Sequence, residues 1–195
     1  MKLFSIVFAA WILAYCHDIS AQEAKPRYFY GSVNYMFPKY TEPLASRASF
    51  ASRVPESAHI PLHIDAVGYY FDYKKLTLIG GVMQVDIDRY SAYSEKLQVE
   101  YYQPSFSVFH YLDGQIGSGL FIRGDIGPAF LRISSNDQGT EKFNPGWGYL
   151  LGAGASLSTG STILLASANF ASKSFHDKSY RFFSLGLGIM IKKAN

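Results

Sequence analysis

The polar side chains of this sequence that could carry chemistry recur two residues apart. Arg123 and Asp125 form one such pair, Gln84 and Asp86 a second, Gln98 and Glu100 a third, and His63 and Asp65 a fourth. In an extended chain residues i and i+2 point to one face, so each pair can aim two polar groups at one target. Set at inward parity on three successive strands, Gln84, Asp86, Gln98, Glu100, Arg123 and Asp125 could line a pore or contact a ligand. They could instead neutralise one another as a network that plugs a narrow interior, because charges taken out of water must be paired. The spacing specifies no substrate, and the plug is the favoured reading. His63 with Asp65 could serve as an acid–base pair or as half of a metal site. The sequence offers no second cluster to complete either, and Pro61 breaks the helix that would align His59 with His63. A phosphate-binding glycine loop, a dinucleotide fingerprint, a GxSxG elbow and a zinc signature are all missing. No catalytic residue, cofactor or metal is therefore expected.

Pairs at period two need strands to hold them. Hydrophobic residues make up 48% of the 195, yet mean hydropathy is +0.01 and the apolar residues fall in short alternating runs. Such a spread suits strands. Beyond residue 25 no window offers the roughly 20 consecutive apolar residues of a membrane helix, so any crossing must use strands. Eight segments reach the ~10 residues that a tilted transmembrane strand needs: 27–37, 62–73, 76–88, 96–111, 119–133, 146–158, 161–172 and 180–192. The connections are 38–61, 74–75, 89–95, 112–118, 134–145, 159–160 and 173–179, so longer segments broadly alternate with shorter ones. Short periplasmic turns and longer external loops give that alternation in an outer-membrane barrel. The expected fold is all-β: a single antiparallel up-and-down transmembrane β-barrel of eight strands, filling residues 22–195.

A secretory signal peptide is expected at residues 1–21. Lys2 supplies its positive start, residues 3–16 its apolar run, and Ala21 the small residue before cleavage. Lipidation at Cys16 fits less well, since Tyr15 stands where a small residue is wanted. With cleavage after Ala21 the only cysteine leaves, and the mature chain keeps the net charge of +3. So weak an excess indicates no nucleic-acid partner.

Period two fixes two faces without saying which is inside. In the last strand Phe183, Leu185, Leu187, Ile189 and Ile191 share one face, and Phe182, Ser184, Gly186, Gly188 and Met190 the other. In the fifth, Leu120, Ile122, Ile126 and Phe130 oppose Phe121, Arg123, Asp125 and Gly127. A soluble lipocalin-like barrel would turn the apolar face inward, a membrane barrel outward. Tyr and Phe number 15 each, many at strand ends, as interfacial girdles require. Alternate glycines 152, 154, 186 and 188 suit a crowded small-barrel interior. With the signal peptide, these favour the membrane.

The stretch Ile64-Asp65-Ala66-Val67-Gly68-Tyr69-Tyr70-Phe71, with Leu76-Thr77-Leu78-Ile79-Gly80-Gly81 after the turn, resembles a hairpin of the outer-membrane β-barrel domain family. Residues 119–127 are similar to that family's fifth strand, and Ser184-Leu185-Gly186-Leu187-Gly188 to its last. The resemblance spans nearly the whole mature chain and implies a small OmpA- or OmpX-type, porin-like barrel in the cell outer membrane. Its implied partners are outer-membrane lipid and the barrel assembly machinery. One departure is the ending Lys192-Lys193-Ala194-Asn195, where such proteins usually finish on an aromatic residue. Some relatives are lipid A-modifying enzymes, whose deacylases carry a His-x-Ser pair; here His176-Asp177-Lys178-Ser179 has one residue too many. The expected function is that of a non-enzymatic barrel with a structural or surface-interaction role through its external loops; the alternatives are a narrow porin-like channel, a lipid A-modifying enzyme and a soluble lipocalin-like barrel. The segment 38–61 is the candidate contact for an external ligand, read as a mobile loop in preference to a short helix serving as a lid.

Overall fold

In the computed structural model, residues 26–42, 44–53, 57–92, 95–136, 139–175 and 178–193 are described. The expected signal peptide, Cys16, the last two residues and the His176-Asp177 segment lie outside them. The elements are β1 (Arg27–Tyr40), α1 (Leu44–Arg53), β2 (Ala58–Lys74), β3 (Thr77–Ala92), β4 (Glu95–Tyr111), β5 (Gly119–Ser135), β6 (Gly139–Lys142), β7 (Gly146–Thr159), β8 (Thr162–Phe175) and β9 (Lys178–Lys193). Each long strand pairs antiparallel with its neighbours in the chain, and β1 pairs β9 from Arg27↔Lys193 to Tyr40↔Tyr180. That closes an eight-stranded up-and-down barrel. The short β6 folds back on the outer end of β5, from Arg132↔Lys142 to Ser135↔Gly139.

The faces have the membrane sense. On β9 Leu185, Leu187, Ile189 and Ile191 are exposed, as are Val33, Tyr35 and Phe37 on β1 and Leu120, Ile122 and Ile126 on β5. Arg123, Asp125, Asp65 and Asp86 are buried inside. A soluble barrel would invert both sets. Of the aromatics that the sequence places at strand ends, Phe37, Tyr69, Tyr73, Trp147 and Tyr149 face outward as girdle residues. Tyr28, Tyr90, Phe109, Tyr111 and Tyr180 turn inward instead and fill the two ends of the lumen.

One wall of the packed interior is thin. Gly152 and Gly154 on β7 and Gly186 and Gly188 on β9 face the lumen, opposite bulky groups from the other strands. A Cβ at Gly186 would collide with the Asn34 side chain, and one at Gly154 with the Phe121 ring. Register is also adjusted in the middle of β2. Between Asp65 and Val67 the pairing with β3 skips a residue, a β-bulge at Ala66. Inward parity in β2 therefore passes from His63 and Asp65 to Gly68 and Tyr70.

The strands run 14–17 residues, well beyond the ~10 that span a membrane, and rise past it at the end carrying α1 and β6. The expected loop at 38–61 is thereby shortened. Most of its ends join β1 and β2, and its middle is α1 rather than a structureless loop. Leu44 and Ala48 of α1 are buried against the barrel mouth, where Leu44 joins a cluster with Tyr101, Leu131, Phe175 and Tyr180. Arg47 on the helix reaches Glu141 of β6 at 3.7 Å, and the Thr41 and Ser179 backbones are bonded across the rim. The opposite end carries the two-residue turns Lys75-Leu76 and Gly160-Ser161, with Gly160 at φ +68°.

The outward sense can be tested at Leu187, which is 72% exposed on the middle of β9. Leu187→Arg is expected to cost about 2–4 kcal/mol when unfolding is followed by urea titration in phospholipid vesicles, because the charge enters the bilayer midplane. No loss of stability would place that face in water.

Candidate functional site

The middle of the lumen is a polar layer held between two apolar clusters. At the end carrying the short turns lie Tyr28, Leu78, Phe109, Tyr111, Phe121, Ile163 and Met190. At the outer end lie Met36, Val99, Tyr101, Leu131, Phe175, Tyr180 and Phe182, with Leu44 of α1 on top. Everything polar between them must find its partner within the barrel.

Arg123 is the hub. Its guanidinium forms a two-pronged pair with Asp65 across the lumen, at 2.7 and 2.9 Å. It also bonds Asp125 on its own strand, through Nε at 3.0 Å and Nη2 at 2.6 Å. A planar fork with five donors suits two carboxylates at once. The Tyr30 hydroxyl accepts from Nη1 at 2.8 Å and donates to Asp65, while Ser32 donates to Asp65 at 2.6 Å. Gln84 on β3 donates to Asp125 at 2.7 Å and to Asp65 at 3.3 Å. Ser107 donates to the other Asp125 oxygen, and Tyr70 donates to Ser107 at 2.8 Å. The Tyr30 and Phe109 rings flank the guanidinium carbon at 5.1 and 5.2 Å.

A second ion cluster sits one step toward the outer end. Lys173 Nζ lies 2.6 Å from Asp86, beneath the Tyr101 and Phe182 rings. His63 joins the two clusters, with Nδ1 2.6 Å from Asp86 and Nε2 3.5 Å from Asp65. Asp65, Asp86 and Asp125 thus lie among Arg123, Lys173 and His63. Further out, Asp88 receives the hydroxyls of Tyr40 and Tyr90 and lies 2.5 Å from His59 Nε2. On the glycine-lined wall Asn169 donates to Asn34 at 3.1 Å, and Asn34 donates to Ser32 at 2.9 Å.

The structure brings together Gln84, Asp86, Arg123 and Asp125 but not Gln98 and Glu100. On β4 the inward residues are the odd-numbered ones, Val99, Tyr101, Gln103, Ser105 and Ser107. Gln98 and Glu100 are on the outer face, where Gln98 donates to Glu100 at 2.6 Å, Tyr102 donates to it at 3.0 Å, and Arg132 lies 3.8 Å away. The reason is strand length. Above the membrane the outer face of β4 meets water and becomes polar, while its inner face turns apolar, so polarity no longer reports parity there.

Lys173 is a second correction. The sequence reading assigns it to a loop at 173–179, whereas β8 runs to Phe175 and carries Lys173 inward, 1% exposed. Its odd parity with Asn169 and Ala171 was the available signal. His59 and His63 hold different aspartates, and among the described residues no group of three or more His, Cys, Asp or Glu is placed to hold a metal. As for chemistry, the layer couples strands. Every one of its charges is spent on another side chain.

No family model and no curated protein matches the sequence. Solved structures do match. Ail, the attachment invasion locus protein of Yersinia pestis, crystallised with the heparin analogue sucrose octasulfate, is 10% identical, with a TM-score of 0.54 over 87% of this chain and 100% of that one. Neisserial surface protein A is 17% identical, with a TM-score of 0.51 over 85% and 97%.

The polar layer yields a graded prediction. Gln84→Leu removes donors from two buried carboxylates and is expected to cost about 1–3 kcal/mol in urea unfolding. Gln98→Ala, on the wetted outer face, should stay within about 0.5 kcal/mol. The reverse order would return Gln98 to the interior. By its closed eight-stranded topology, its outward apolar belt and its structural neighbours, the chain has the fold of the small outer-membrane β-barrels.

Proposed function

We propose that this is a non-conducting, non-enzymatic barrel of the cell outer membrane that meets external ligands at its outer end. The observation carrying this reading is the lumen: an ion-pair layer between two apolar plugs, the outer one capped by α1. An eight-stranded barrel is just wide enough to be filled by side chains, and here they fill it. A porin-like channel would need Arg123, Lys173 and their carboxylates to part, which leaves buried charges unpaired. A lipid A-modifying activity would need an unspent acid, base or nucleophile, and the candidate groups of the layer are engaged with one another.

Residues 38–61 are the segment we assign to external contact. The outer ends of β1 and β2 raise α1 beyond the membrane, and its Phe50 is 74% exposed beside the solvent-facing Ser49 and Arg53. The likeness to an attachment protein crystallised with a heparin analogue supports contact with an external ligand. Export through residues 1–21, insertion by the barrel assembly machinery and a surround of outer-membrane lipid belong to the same reading.

Conductance in planar bilayers tests it. Purified barrel should give no resolvable current steps, whereas reproducible steps that scale with protein concentration would replace the plug with a pore.

A further inference from the structure

The seam where β1 closes on β9 carries an arrangement that packing alone does not explain. Lys39 stands directly opposite Arg181 in the register, and both are exposed on the outward face. Like charges directly across two strands repel and destabilise the pair. Neither has an acidic partner among the described residues, although Glu100 is available to Arg132 and Glu141 to Arg47 elsewhere on the same rim. Immediately toward the membrane, Phe37 pairs with Phe183, their rings stacked at 6.4 Å, and the apolar belt begins. On the other side of Arg181 its β8 partner is Ser172, a hydroxyl at the same level.

The opposite end of the seam repeats the pattern. Arg27 is paired with Lys193, again exposed and again without an acidic partner among the described residues. Between the two basic pairs the outward residues are Phe29, Val33, Tyr35 and Phe37 on β1 and Phe183 to Ile191 at alternate positions on β9. Twelve residues separate Arg27 from Lys39, about 40 Å along a strand at ~3.3 Å per residue. With the usual strand tilt of ~35–45° that is about 30 Å along the membrane normal, an apolar band of ~25 Å plus a headgroup layer at each side. The two pairs lie at the depths where lipid phosphates lie.

We propose that Lys39 and Arg181, with the Ser172 hydroxyl beside them, form a binding site for a phosphate group of an outer-leaflet lipid. A phosphate between the ammonium and the guanidinium turns a repulsive pair into two charge-assisted contacts, and the guanidinium fork fits phosphate oxygens in the two-pronged manner. The stacked Phe37 and Phe183 receive the first part of the acyl chains. This goes beyond the closed-lumen reading, because it concerns the outer wall and holds whether or not the barrel conducts.

Lipid binding to the intact barrel in detergent, read by native mass spectrometry, tests the site with two probes: bisphosphorylated lipid A and the same lipid with its phosphates removed. Wild type should prefer the phosphorylated form by about tenfold or more. Lys39→Gln with Arg181→Gln should bring the two forms to near parity. Arg27→Gln with Lys193→Gln, at the other rim, should keep the preference. All four positions are exposed, and the heat-dependent gel mobility of a folded barrel verifies each variant. Equal binding of both forms by wild type, or an undiminished preference in the Lys39/Arg181 variant, would overturn the proposal. So would full displacement of lipid A by inorganic phosphate at equal concentration, which would make the site one for a soluble anion.

Discussion

The fold depends on one constraint: an eight-stranded barrel has room inside for side chains and nothing else, so charges placed there must satisfy each other. Arg123 meets that constraint by holding Asp65 of β2 from across the lumen and Asp125 on its own strand. The glycines of β7 and β9 make the room for this, and the bulge at Ala66 sets Asp65 and Tyr70 on the same side of β2. Removing any of the three would leave a carboxylate or a guanidinium without its partner in a place that water does not reach. Replacing the whole network by apolar groups could be neutral for stability, as for other buried ion pairs. What the network adds is specificity, since only one register brings Asp65, Gln84, Arg123 and Asp125 together.

The eight strands were legible in the sequence because alternation over ten or more residues is a strong signal; on β5 and β9 it showed two faces, and the aromatics, the alternate glycines and the signal peptide chose their membrane sense. Parity was lost where the strands leave the membrane. Gln98 and Glu100 look like interior residues if every polar side chain on a barrel strand is taken as inward, a rule that holds only as far as lipid extends. Lys173 was missed for the related reason that β8 continues past the length a membrane requires. The helix α1 was hidden by its Ala- and Ser-rich composition between prolines, which reads as a loop until Leu44 and Ala48 find a surface to pack on. The link through His63 was half visible, as a His–Asp pair at one parity. Its other partner, Asp86, comes from the neighbouring strand, and only the register reveals it.

The same length argument links the inside of the barrel to its outside. Strands of up to 17 residues carry α1 and β6 at the outer end, and leave basic pairs at the two edges of the apolar belt. A filled interior and a furnished outer wall and rim fit the surface contact proposed for it. Neither demands chemistry in the lumen.

The claim that the ion-pair layer ties the barrel across its lumen is tested most directly by a double-mutant cycle between Arg123 and Asp65. Unfolding by urea in lipid vesicles would be measured for wild type, Arg123→Met, Asp65→Asn and the pair. Arg123→Met alone should cost about 3–5 kcal/mol, because it strands two buried carboxylates. The double variant should be less destabilised than the two singles together by about 1.5–3 kcal/mol. Costs that add within about 0.5 kcal/mol would mean that the two residues do not act on each other, and that the barrel is held by its walls alone.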